Sequence, residues 1–171
     1  MMQVLELSLL RGSQQLLDHA DLTLHSGWKV GIIGANGVGK SSLFKLLLGE
    51  LQLDTGELKM SGNQTIAHMA QEVNAANRSV LDYVLDGDAA LRKVQAELEI
   101  AQEQHLAERI GELHGQLDNL DGYTAEARAQ QLLNGLGFAS DDAQRNVNDL
   151  SGGWRIRLNL AKALMCRSDI L

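Results

Sequence analysis

The eight residues Gly34, Ala35, Asn36, Gly37, Val38, Gly39, Lys40 and Ser41 constrain this 171-residue chain more than any others. They match G-x-x-x-x-G-K-[ST], a loop whose main-chain N–H groups wrap a polyphosphate. Glycine at 34, 37 and 39 allows dihedrals that a side chain would forbid, so successive N–H groups can turn inward as an anion nest. Upstream, Ser26-Gly27 reads as a turn and 28–33 as a buried strand. Downstream, 42–48 reads as a helix ended by Gly49, and its first-turn N–H groups and positive dipole end would face the same anion. In that setting Lys40 brings a positive charge to the β- and γ-phosphates, and the Ser41 hydroxyl is placed to ligate Mg²⁺. The competing reading is a glycine-rich turn with an incidental lysine; the agreement of motif and flanking elements disfavours it.

The rest of the chain can be ordered around this loop. Leu5, Leu7 and Leu9 alternate with Glu6 and Ser8, the period of a half-buried strand. A turn at Arg11-Gly12-Ser13 leads to a second strand with Ala20, Leu22 and Leu24 on one face. Together they predict an antiparallel flap beside the loop. After the loop helix, Asp54-Thr55-Gly56 turns into a strand at 57–60, and Gly62-Asn63 turns into another at 65–69. Gln71 follows as a polar amide at a strand end, where a solvated side chain is the ordinary outcome. Ser79 is positioned to cap a short helix carrying Val80, Leu81, Val84 and Leu85.

From residue 89 to 120 the composition shifts to helix formers. Leu91, Val94, Leu98 and Ala101 form one seam; Leu106, Ile110, Leu113, Leu117 and Leu120 form another. The register breaks near Gln104-His105, which predicts two antiparallel helices with a bend there. Their exposed face carries Glu97, Glu99, Glu103, Glu108, Glu112, Asp118 and Asp121 against Arg92, Lys93 and Arg109. This acidic surface does not suit a phosphate backbone. It fits either a plain hairpin packed on the domain or an arm that reaches a partner. Thr124 is placed to cap a further helix with Ala129, Leu132 and Leu133, ending near Gly135-Leu136-Gly137, and Phe138 is expected to pack where the chain returns to the core. Finally Leu150-Ser151-Gly152-Gly153-Trp154 opens an amphipathic helix with Ile156, Leu158, Leu160, Ala161 and Leu164. Ser151 stands at the cap, and two glycines leave the helix start bare, a second anion-ready end.

Composition bounds the alternatives. Lys+Arg total 15 against 22 Asp+Glu, a net charge of −7, which argues against broad nucleic-acid binding by the whole surface. An apolar fraction of 44% supports a real core, and no apolar run approaches the ~20 residues of a membrane span. The lone Cys166 excludes an internal disulfide, fits a reducing compartment and reads most simply as a small buried apolar residue. The start, Met1-Met2-Gln3-Val4-Leu5, reads as a strand rather than a signal peptide. The absence of proline is unusual for an entire α/β domain.

Taken together, these motifs resemble an ATP-binding-cassette ATPase over nearly the whole chain. Residues 34–41 resemble Walker A, Gln71 the Q-loop and Leu150–Trp154 the signature motif. Within that superfamily the run from Asp149 to Leu164 is most similar to the first cassette of the ABC-F proteins, in their YheS branch. The resemblance implies an α/β fold: a P-loop NTPase core with an antiparallel β flap, and an α-helical subdomain bearing a helical-hairpin arm. It divides the chain into 1–75, a nucleotide-binding core; 76–148, the helical subdomain with its hairpin at about 89–120; and 149–171, the signature motif and the helix after it. It implies ATP and Mg²⁺ as cofactors. Gly34 to Ser41 with Ser42 would hold the nucleotide, Lys40 and Gln71 would serve catalysis, and Ser41 with Gln71 would hold the metal. Arg11 stands where the family places an aromatic against adenine. It can stack there as a guanidinium plane, or be a solvated turn residue.

The resemblance also implies that Leu150, Ser151, Gly152, Gly153 and Trp154 act on ATP bound to a second cassette, normally in the same polypeptide. The expected setting is cytoplasmic, ribosome-associated and concerned with translation, rRNA included; the alternative is the ATPase subunit of a membrane transporter. The Walker B aspartate and catalytic glutamate would follow Leu171, so the C-terminal part of the core is expected to be missing. This chain alone is then expected to bind ATP and hardly hydrolyse it.

Overall fold

The computed structural model describes residues 1–12, 14–60, 62, 64–69 and 77–171. Gln71 and the turn residues Ser13 and Asn63 lie outside the described residues. The chain divides into two compact units, Met1–Ile66 and Ala67–Leu171. Among the described residues the regular elements are three strands, six α-helices and three short 3-10 helices.

In the N-terminal unit, β1 (Met2–Arg11), β2 (Gln14–Leu24) and β3 (Thr55–Met60) form an antiparallel sheet in the order β2-β1-β3. The helix α1 (Lys40–Leu47) closes its core, which holds Val4, Leu7, Leu9 and Leu46 with Leu16, Leu17, Leu51, Leu53 and Leu58 packed against them. The β1 alternation departs from the Leu5–Leu7–Leu9 expectation. Met2 and Val4 are buried, then Leu7 and Leu9, while Leu5 is only half-buried. An extra residue in β1 shifts its register to both neighbours, between Val4 and Leu7 against β2 and between Leu5 and Ser8 against β3. Such a bulge exchanges the two faces of a strand. Side chains satisfy amides on both strands here: Glu6 N of β1 donates to Asp21 Oδ1 at 2.8 Å, and His19 N of β2 donates to Ser8 Oγ at 3.1 Å, where β2 carries an irregularity of its own. Gly56 passes so close that a Cβ would lie 2.5 Å from the Glu6 carbonyl oxygen, so this position requires glycine.

Two predicted strands do not form. Residues 28–33 carry no ladder, and Val30 and Ile33 are 52% and 94% exposed. No strand lies beside this run among the described residues. Without a neighbouring strand to pair its N–H and C=O groups, a run is not a strand, however apolar its side chains. Residues 65–69 are likewise not a continuous strand; within this stretch Ala67 N donates to the Ile170 carbonyl at 2.8 Å.

The C-terminal unit is helical. It contains α2 (Val80–Leu85), α3 (Ala89–Glu103), α4 (Ala107–Asn119), α5 (Ala125–Gly135) and α6 (Gly152–Met165). Ser79 caps α2 as expected, its Oγ accepting from Asp82 N at 3.1 Å. The hairpin bends where its register breaks: His105 has φ 56, and α3 and α4 stand on either side. Leu91, Val94, Ala101, Leu113 and Leu117 fill the seam, whereas Leu106 caps α4 and stays 47% exposed. Arg109 of α4 ties the two helices through Glu97 of α3 and braces itself on Glu112. Thr124 stands at the N-cap of α5 as expected, but its side chain makes no capping bond; its hydroxyl instead donates to the Asp121 carbonyl at 3.0 Å in a tight turn. The core of this unit runs from Val80 and Val84 through Leu133 and Phe138 to Leu158, Ala161 and Met165 of α6.

Asp82 is one carboxylate from which acid sensitivity of this unit is expected. Asp82 accepts from Arg92 and from the Ser79 hydroxyl, and these bonds hold its carboxyl below the usual range. A group whose folded pKa lies under its unfolded one stabilises the fold above the unfolded value and stops doing so as pH falls through the folded value. The urea midpoint of this unit is therefore expected to fall as the pH drops below about 4. Arg92→Gln should flatten that acid limb, and urea titrations at a series of pH values read both effects.

Candidate functional site

The loop at 34–41 is built by the residues that lead into α1. After β2 the chain turns at His25, where Trp28 N donates to the His25 carbonyl and the two rings sit 4.9 Å apart. It then runs exposed to Gly39. Gly37 and Gly39 are left-handed, with φ 84 and 104. A Cβ at Gly39 would also lie 3.0 Å from that of Leu16 in β2, so the flap packs directly on the loop. Gly39 caps α1 with no side chain, and the first helical bond runs from Leu43 N to Gly39 O at 2.9 Å. The amides of the first turn are thus left without a side-chain cap, the arrangement that favours an anion at a helix start.

Lys40 is the first residue of α1, two positions earlier than the predicted helix start. Its ammonium folds over the loop, donating to the carbonyls of Gly34 and Ala35, each at 2.7 Å. Ser41 is exposed beside it and Ser42 is half-buried. The far end of α1 follows the sequence. Gly49 has φ 74, Gly49 N donates to Leu46 O and Glu50 N donates to Lys45 O, the paired bonds of a glycine-terminated helix. Arg11 is exposed at the end of β1.

The second motif belongs to the helical unit. Ser151 caps α6 with φ −66 and ψ 162, but its side chain makes no capping bond. Gly152 and Gly153 are exposed, with open space where a Cβ would stand. Leu150 is buried, and Trp154 packs edge-on against Phe138 at 4.7 Å. Sequence reading missed Arg157, which lies over the Trp154 ring at 4.9 Å and lines a shallow recess with Ser151, Gly153 and Trp154. A basic residue one turn after a bare helix start was the available signal. Cys166 is half-buried, and burial together with the nearby Asp88 charge pushes its thiol pKa up, as suits an inert sulfur.

A cavity of about 770 Å³ lies elsewhere in the helical unit. Its charged walls include Arg78, Asp82, Asp86 and Arg92, which pair with one another. It has none of the geometry of the loop. Among the described residues no cluster of His, Cys, Asp and Glu could hold a metal by itself, and no helix is long and apolar enough to cross a membrane.

A glycine loop feeding a helix, an antiparallel flap packed on that loop, and a helical unit define the class: an ATP-binding cassette of the P-loop NTPase fold. The solved structure of an ATP-binding subunit of an ABC transporter shares this fold with a TM-score of 0.68 at 18% identity, covering 96% of this chain and 61% of that one. A family model described as ABC transporter matches residues 17–171, and the chain belongs to that family. It is 45% identical over 165 residues to an Escherichia coli K12 protein described as "Probable ATP-binding protein YheS". It is 34% identical over 169 residues to "ATP-binding cassette sub-family F member 2" of Mus musculus. Each alignment covers nearly all of this chain, 96% and 98%, yet the chain spans only 26% of the length of either relative.

Proposed function

We propose that this chain is the ATP-binding first portion of an ABC-F type ATPase that works on ribosomes in the cytoplasm. The observation that carries the nucleotide half is the loop at 34–41, with two left-handed glycines, an uncapped helix start and the Lys40 ammonium inside it. These donors fit a triphosphate: main-chain N–H groups of 34–41 cradle it and Lys40 exchanges its two carbonyl partners for phosphate oxygens. Ser42 extends the donor set by one helical position. Mg²⁺, which neutralises charge developing on the phosphates, suits the Ser41 hydroxyl, since magnesium takes few protein ligands and completes its shell with phosphate and water. Gln71 is proposed as a further metal and water contact. Arg11 is proposed to lie against the adenine.

Leu150 to Trp154 are proposed to serve a second cassette. Ser151, Gly152 and Gly153 present an uncapped helix start with no side chain in the way, a form suited to the γ-phosphate of a nucleotide held by a neighbour. ATP then joins the two cassettes, and hydrolysis by the complete protein parts them. The ribosomal half of the proposal rests on likeness to sub-family F and on the length of the hairpin, α3 and α4 being 15 and 13 residues.

Sedimentation through a sucrose cushion tests it. The full-length protein should pellet with ribosomes in a non-hydrolysable ATP analogue and remain in the supernatant with ADP. Nucleotide-independent recovery with a membrane permease, and none with ribosomes, would replace this reading by that of a transporter subunit.

A further inference from the structure

We propose that Arg167 is a positioning residue that clamps both roots of the α3–α4 hairpin to the end of α6, so that hairpin and signature helix move as one body. The hairpin enters at Asp88 and leaves at Leu120-Asp121. Asp88 is the N-cap of α3, its Oδ1 accepting from Leu91 N at 3.1 Å, and it is only 4% exposed. A buried carboxylate needs compensating charge. Arg128 of α5 donates to its Oδ2 at 3.1 Å, and Arg167 Nε lies 3.8 Å from the same oxygen. The other end of the Arg167 guanidinium reaches the second root. Its Nη2 donates to the Leu120 carbonyl at 2.8 Å and to Asp121 Oδ2 at 2.7 Å.

Leu120 is the C-cap of α4 and Asp121 is left-handed, with φ 45, so this contact fixes the turn by which the hairpin ends. A planar fork with several donors can hold two such roots at once; a single ammonium cannot. Arg167 itself follows α6 by two residues. The same end of α6 touches the first root through main chain, since Gly87 has room for no Cβ against the Lys162 carbonyl. At the far end of α6, roughly 21 Å away at 1.5 Å per residue, stand Ser151, Gly152 and Gly153. A tilt of the hairpin therefore passes along a packed helix to the bare N–H groups at its start. Its use in gating ATP rests on the proposed function; the mechanical coupling does not.

The test needs no nucleotide, so its outcome is independent of that reading. Nitroxide labels at Gln104→Cys, on the hairpin bend, and at Ile156→Cys, exposed on the first turns of α6, are placed in the full-length protein with Cys166→Ser and any other cysteine replaced by serine. Pulsed electron resonance then reads the spread of distances between them. The parent should give one narrow distribution. Arg167→Ala should widen it by about twofold, and Arg167→Lys, which keeps the charge without the fork, should fall between. Asp121→Asn releases one root alone, tolerates the left-handed backbone, and should widen the distribution less than Arg167→Ala; it also carries the test if Arg167→Ala fails to fold. Arg145→Ala, which breaks an exposed pair with Asp142, should leave the width unchanged. Equal widths in the parent, Arg167→Ala and Asp121→Asn would overturn the clamp.

Discussion

Lys40→Ala is expected to weaken ATP binding by about a hundredfold while leaving thermal stability nearly unchanged. A charge-assisted hydrogen bond contributes about 1.5–3 kcal/mol, and the ammonium offers the triphosphate at least two. Part of this is already balanced in the free protein, where the same ammonium donates to the Gly34 and Ala35 carbonyls at 2.7 Å. The net difference, about 2.7 kcal/mol, corresponds to a factor of about 100 in Kd. The stability side is different. The loop is exposed, and its carbonyls return to water when the lysine is removed, so the folded state loses little. Lys40→Arg should not restore binding, because a planar fork does not replace a compact point charge in a loop this tight. Calorimetric titration of Mg-ATP into the full-length protein and its variants reads the effect. A Kd within about threefold of the parent would remove Lys40 from the site.

Gly87→Ala is expected to be the most damaging single methyl in the helical unit. The added Cβ would stand 2.0 Å from the Lys162 carbonyl oxygen and 3.0 Å from that of Val84. Both obstacles are backbone, so no rotamer change relieves them. The turn between α2 and α3 must then lift off α6, separating the first hairpin root from the helix it rests on. Overpacking against fixed atoms of this kind costs about 3 kcal/mol, which for a unit of this size lowers Tm by roughly 10–20 °C. Gly111→Ala and Gly115→Ala are the controls. Both sit within α4 with open space where the methyl goes, and each should stabilise by about 0.5–1 kcal/mol. Thermal melts followed by far-UV circular dichroism separate the three variants.

What the sequence made legible follows the range of the interactions involved. Local signals carried through. The Ser79 cap, the Gly49 helix end, the break at His105 and the bare start of α6 each depend on a few adjacent residues, and each is where its residues place it. Gly37 and Gly39 adopt the left-handed backbone expected of them, Gly34 does not, and α1 starts directly after Gly39. Features that depend on distant partners were not legible. Leu5, Leu7 and Leu9 read as an unbroken alternation, yet the slip at Glu6 is fixed by Asp21 and by the approach of Gly56. Residues 28–33 have the apolar run of a central strand, but a strand is completed by its neighbours, and none lies beside it among the described residues. The knot of Asp88, Arg128 and Arg167 joins residues up to 79 positions apart, and no period or motif announces it.

The chain has two tryptophans, and the fold gives one to each unit. Trp28 is 61% exposed in the stretch leading to the loop, and Trp154 is packed against Phe138 at the start of α6. One indole meets water and the other a ring edge, so their emission separates in colour. These 171 residues thus carry their own pair of optical gauges, one for each unit, with no dye attached.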